Sequence, residues 1–146
     1  MYWRALWACV RHAGLWQAPA DTTQPGGTPL HDSHTPRLDE IEAPRSAVGR
    51  SIVEMQAATV GHIDRTVWDG RFLHHPPMPY IPGVDAAGVI RSSERFAVGE
   101  RVWLRGSGLG VRCDGTWCEL IDAPDEAIGR LPDAVPMTLG SAFFSP

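Results

Sequence analysis

His62, Asp64 and Asp85 are the side chains of this chain whose type and setting could do chemistry. His62 could give a charge-assisted hydrogen bond to a phosphate, or stand as an exposed polar residue. Asp64 could orient groups in a site. It could equally cap a short helix, because it sits three residues before Val67-Trp68 and aspartate accepts the free N–H groups of a helix start. Asp85 follows Pro82-Gly83 and reads as a buried acceptor for the N–H groups of that turn rather than as a catalytic acid. The loop Gly106-Ser-Gly-Leu-Gly110 invites comparison with the dinucleotide fingerprint GxGxxG. Its third glycine comes one residue early, Val111 takes that place, and Arg112-Cys-Asp-Gly does not start a helix, so a plain loop is the reading. His31, Asp32 and His34 could take up a metal adventitiously, but a flexible loop is a poor preformed site. His74-His75 lies beside prolines and reads as solvated loop. Cys113 and Cys118 have no matching histidine pattern, and Cys118 reads as a packed apolar residue.

The elements that must position these groups are short. Pro79 to Ile90 is a stiff Pro/Gly turn running into a small-residue strand, and Phe96 to Trp103 is a turn at Gly99 followed by a strand. Gly88, between Ala87 and Val89, weakens a strand unless another backbone or a ligand comes close. Strands are expected over Arg4 to Val10, Ser51 to Thr59, Ala86 to Ser92, Arg101 to Leu104, Thr116 to Asp122 and Glu126 to Leu131, with a trace of strand alternation over Arg37 to Glu42. Asp64 to Asp69 predicts a short helix with Asp64 as its cap and Gly70 at its end, and Val135 to Phe144 has helical potential. Pro44 to Gly49 reads as a turn, Arg71 to Pro79 as a loop, and Gln17 to Pro36 as a long polar loop, partly disordered. Short strands divided by turn signals argue for a mainly β, barrel-like domain. The six tryptophans belong to the core and to site walls, Trp68 and Trp103 foremost.

Composition narrows the classes. The 146 residues suit one domain, and 43% hydrophobic content is enough for a core. A net charge of −4 without a basic cluster argues against nucleic acid as a partner. No run approaches the roughly 20 apolar residues of a membrane span, so no membrane partner is expected. Three cysteines, Cys9, Cys113 and Cys118, form no CxxC and no even set. A reducing compartment, and so the cytoplasm, follows as the expectation.

The landmarks also come in a telling order. Val60-Gly-His-Ile-Asp64 precedes Gly70, Pro79-x-x-Pro-Gly-x-Asp-x-x-Gly88, Gly99-Glu-Arg-Val102, Asp114-Gly-Thr-Trp-Cys-Glu119 and Leu131-Pro-Asp133. This series resembles the N-terminal, GroES-like domain of the medium-chain dehydrogenase/reductase superfamily. It is most similar to the zinc-free quinone oxidoreductase and acrylyl-CoA reductase-like branch. The resemblance runs from Leu38 to Pro146 and is closest over Ile81 to Glu119. It implies a partly opened β-barrel with short helices, of the alcohol dehydrogenase N-terminal type. With the composition of the first residues, the expected division is residues 1–36, an N-terminal strand and long polar loop, partly disordered, and residues 37–146, the GroES-like domain. The resemblance also implies hydride transfer between NADPH or NADH and a small-molecule carbonyl or activated alkene, with substrate in a cleft against a nucleotide-binding domain.

Residue by residue, the resemblance bears on metal and site. Zinc members carry Cys at the position of Gly61 and His at that of Val84, and their proton-relay hydroxyl falls at Ile63. Neither Gly61 nor Val84 has a ligand atom, and the four closely spaced Cys of the family's structural zinc lobe are missing, so neither catalytic nor structural zinc is expected. Zinc-free members often carry Asn at Gly61 and Tyr at Phe72 or Thr66, groups that can bond cofactor or substrate. Here only Thr66 keeps a hydroxyl. The implied site is therefore Asp64 and Thr66 as catalytic groups, Gly61 and His62 against the cofactor, and Trp68 and Phe72 on the substrate cleft. No βαβ unit with a glycine fingerprint, and so no Rossmann domain, is found in these residues. The expectation is a substrate-side domain, inactive without a nucleotide-binding domain in cis or trans and open to oligomer formation. The alternative is a stand-alone GroES-like interaction module without redox activity.

Overall fold

The computed structural model describes residues 41–74, 76 and 80–144. The expectations for Arg4 to Val10, for Gln17 to Pro36, for His31, Asp32, His34 and His75, and for most of Arg37 to Glu42 lie outside the described residues. Ile41 and Glu42 are described and have no regular structure.

The elements in chain order are β1 (Arg50–Ala58), α1 (His62–Trp68), β2 (Ala86–Ser92), β3 (Arg101–Leu104), β4 (Leu120–Pro124), a 3-10 turn (Asp125–Ala127), β5 (Ile128–Arg130) and α2 (Met137–Ala142). The strands form one curled antiparallel sheet in the order β4-β1-β2-β3-β5, the mainly β half-barrel expected. Every strand sends a branched side chain into a shared core: Val53, Ile90, Val102 together with Leu104, Ile121 and Ile128. Burying each such side chain contributes about 1.5–3 kcal/mol. Cys118 packs into the same cluster, where burial pushes its thiol up to about 12.

β1 lies between β2 and β4 because its β-branched Ile52 and Val53 fit a strand covered on both edges. β2 crosses β1 with Gly88 opposite Met55, beside a register shift between Met55 and Ala57. A Cβ on Gly88 would run into the Glu54 carbonyl, so the strands approach closely only because that atom is missing. This is the close backbone neighbour that a glycine inside a strand calls for.

Several boundaries differ from expectation. The strand expected over Thr116 to Asp122 begins only at Leu120. Gly115, Thr116 and Trp117 instead clasp the Pro/Gly turn: their N–H groups donate to the carbonyls of Ile81 (2.7 Å), Gly83 (2.9 Å) and Pro82 (2.9 Å). Gly83 has φ +104, and a side chain there would strike Trp117 and Thr116. The stretch Glu126 to Leu131 splits into the 3-10 turn and β5. The C-terminal helix is α2, shorter at both ends than Val135 to Phe144, and it starts after Pro136.

The helix expected to begin at Asp64 begins two residues earlier, with Gly61 at the cap position in extended conformation. Asp64 occupies the third helical position. It ends in a Schellman arrangement, with Gly70 N–H on the Val67 carbonyl and Arg71 N–H on the Thr66 carbonyl.

Candidate functional site

Asp64 organises the region. It is 3% exposed, and its two carboxylate oxygens serve two different segments. Oδ2 accepts the N–H of Gly61 at 2.7 Å, and Oδ1 accepts the N–H of Val84 at 3.0 Å. The first bond is half of a capping box, since Gly61 has no side chain to return it. The second ties α1 to the Pro/Gly turn. Burial raises the Asp64 pKa, the two backbone N–H groups pull it back, and the nearby charge of Asp85 raises it further.

Asp64 thus takes the Val84 N–H of the turn, while Asp85, buried as expected, also accepts the Arg105 guanidinium. The reason is register. Ala86 faces Leu104 across the β2–β3 ladder, so the next pair outward is Asp85 and Arg105. Arg105 Nη1 lies 3.2 Å from both Asp85 oxygens. The same nitrogen donates to the Phe144 carbonyl at 2.6 Å, and the guanidinium stands over the Phe144 ring. Asp85 is 2% exposed, while the Arg105 side chain is 41% exposed. Arg105→Met is expected to cost about 2 kcal/mol in urea unfolding, below the range for a fully buried pair because water reaches the cation.

The helix separates the other site residues by face. His62 and Thr66 are one turn apart on the open side, next to Gly61, and the Thr66 hydroxyl donates back to the His62 carbonyl at 2.8 Å. Trp68 turns inward with Asp64 and Val67 and is buried. Phe72 lies beyond Gly70 and is partly exposed. The structure thus brings Gly61, His62 and Thr66 to one edge and puts Trp68 on the opposite face of α1, with Phe72 exposed after the helix end.

Arg105 and Tyr80 were not singled out by sequence. Tyr80 is buried, and its hydroxyl is pushed up to about 12 by burial and then by the Asp64 charge. Only the strand register could have paired Arg105 with Asp85. The loop Gly106 to Gly110 opens no helix, and its neighbour Arg112 meets His74 at the surface. Among the described residues no three His, Cys, Asp or Glu side chains converge to hold a metal, and no helix is long and apolar enough to cross a membrane.

Comparison with known proteins agrees with this geometry. The family described as alcohol dehydrogenase GroES-like domain matches residues 48–133, more than half of the chain. The quinone oxidoreductase of Lama guanicoe is 29% identical over 111 residues, covering 73% of this chain and 32% of that protein. An alcohol dehydrogenase of Moraxella sp. (strain TAE123) is 35% identical over 95 residues, covering 60% and 28%. The yhdH oxidoreductase of Salmonella enterica, solved in complex with NADP, superposes with a TM-score of 0.58 at 26% identity over 69% of this chain and 31% of that one. The chain spans about a third of the length of the curated relatives it matches. It belongs to the alcohol dehydrogenase GroES-like domain family, the N-terminal domain of medium-chain dehydrogenases/reductases.

Proposed function

We propose that this chain is the substrate-side domain of a zinc-independent, NAD(P)H-dependent oxidoreductase that reduces quinones, enones or enoyl thioesters. One observation carries the reading: Asp64 holds the backbones of Gly61 and Val84 together, at the two positions where zinc members of the family present Cys and His. The residues do not fit a catalytic zinc. Gly61 and Val84 have no donor atom, both Asp64 oxygens accept backbone N–H groups, and Asp85 faces Arg105.

A nicotinamide cofactor supplies the hydride in such reactions. Among the described residues no glycine-rich strand–turn–helix exists to cradle a dinucleotide, so its grip belongs to a nucleotide-binding domain in cis or trans. This chain offers one wall. His62, exposed at the start of α1, is the group available to a phosphate, and Gly61 beside it allows close backbone approach. Thr66 Oγ1 keeps its lone pairs while its proton rests on the His62 carbonyl, so it serves substrate as an acceptor unless it turns. Phe72 is the apolar group open to substrate, and buried Trp68 backs the wall from inside. Asp64 is a positioning residue, since both of its oxygens are engaged. Cysteines without a CxxC pattern support a cytoplasmic setting.

The second reading, an interaction module without redox chemistry, draws on α2 and the segment after it, where Leu139 is 57% and Phe143 70% exposed. One experiment separates the two. A relative's nucleotide-binding domain is supplied in trans, and NADPH and NADH oxidation is followed with a quinone and an enoyl thioester. Turnover that survives EDTA is the expected result, with no turnover by the chain alone. Sub-micromolar NADPH binding by the chain alone, or reconstituted turnover abolished by EDTA, contradicts the proposal. Self-association on size exclusion without turnover favours the module.

A further inference from the structure

Thr59, the residue after β1, is held by three distant segments through three of its groups. Its N–H donates to the Asp85 carbonyl at 3.1 Å, extending the β1–β2 ladder by one step. Its carbonyl accepts Trp117 Nε1–H at 3.1 Å. Its hydroxyl donates to the Ser141 carbonyl, 82 positions away, at 2.7 Å. The first two contacts use backbone groups that any residue except proline has. The third needs a hydroxyl.

Ser141 lies in the last turn of α2, where carbonyls have no donor within the helix. Thr59 therefore caps α2 from across the fold. Two residues after Thr59 comes Gly61, whose N–H is taken by Asp64, and Asp64 also holds Val84. A parallel link runs from the Phe144 carbonyl through Arg105 to Asp85, the residue whose carbonyl Thr59 engages. Beside its packing on the sheet, the C-terminal segment is thus hydrogen-bonded toward the site through Thr59 and Arg105, and the first of these bonds rests on a single side-chain hydroxyl.

We infer that Thr59 is a positioning residue: its hydroxyl couples the seating of α2 to the placement of the Gly61–His62 edge. A shift of α2 strips the hydroxyl of its acceptor and frees the short Val60–Gly61 link that carries α1. The functional meaning rests on the reading under Proposed function, whereas the coupling itself does not.

Amide exchange by NMR on the 146-residue chain tests it without turnover, so coupling and redox reading can fail separately. Thr59→Val keeps the shape and removes the hydroxyl, and Thr59→Ser keeps the hydroxyl. In Thr59→Val the amides of Gly61, Val84 and Gly140 are expected to exchange about tenfold faster. The Ile90 amide, bonded to the Glu100 carbonyl inside the sheet, is the reference and is expected to be unchanged. Thr59→Ser is expected to restore wild-type rates. No acceleration at Gly61 and Val84 overturns the coupling. So does equal acceleration at Ile90, which would mean only a loss of global stability.

Discussion

Asp64→Ala is expected to lower the unfolding free energy by about 4 kcal/mol in urea titration, since two charge-assisted hydrogen bonds of about 1.5–3 kcal/mol each are lost. The Val84 N–H, buried in the turn, is left without that acceptor, and so is the Gly61 N–H at the helix start. The magnitude decides between two roles. A residue that only caps a short helix costs about 1 kcal/mol when removed. A loss near that value would mean that the link to the Pro/Gly turn contributes little and that another group fixes Gly61 beside Val84. The pH dependence has a definite sign. Burial raises the Asp64 pKa in the folded state, so the folded chain holds this proton more tightly than the unfolded one. The stabilisation from that proton is fully present below the unfolded carboxylate value and is lost as pH rises through the raised folded value. Asp64→Asn, which does not titrate, removes this component. The stability of wild type minus that of the variant is therefore expected to fall across that window and then level off. A difference that rises with pH would contradict the dominance of burial over the two N–H groups.

Gly88→Ala is expected to cost about 3 kcal/mol, the upper range for overpacking, because the atom in the way is backbone. The new Cβ meets the Glu54 carbonyl carbon and oxygen, and neither can rotate aside as a side-chain tip could. The two central strands must separate, and the shared core opens with them. Gly99→Ala is the control. Gly99 has φ +85 but open space around it, so its substitution carries only the conformational penalty of about 1 kcal/mol. Equal losses in the two variants would show that β1 and β2 yield easily at this point. They would also remove the reason for a glycine in the middle of β2.

Much of the frame was legible in the residues. β2 and β3 fall at the expected residues, and β1 is displaced by one, because β-branched runs bounded by glycine and proline leave few alternatives. Gly88 announced a close neighbour without naming it. Cys118 announced its burial. The misplaced elements share a cause. Thr116 and Trp117 have strand-forming side chains, yet their N–H groups pair with a proline-containing turn that cannot extend a ladder. Local propensity sees the side chain and not the partner. Asp64 went partly astray for a related reason: its type pointed to a helix start, but a carboxylate can serve the cap residue from three positions inside.

What the sequence determined by itself is the family, the mainly β domain, and the absence of ligand atoms at Gly61 and Val84. These follow from residue identity and order. The tertiary structure alone decided which acid serves which segment. Asp85 pairs with Arg105 because of strand register, and Asp64 joins helix to turn because the curled sheet brings Val84 within 3.0 Å. It also decided that Thr59 reaches Ser141, 82 positions away. A hydrogen bond needs its two atoms within about 3 Å. Distances between segments far apart in the chain are set by strand pairing and packing, which no single segment encodes.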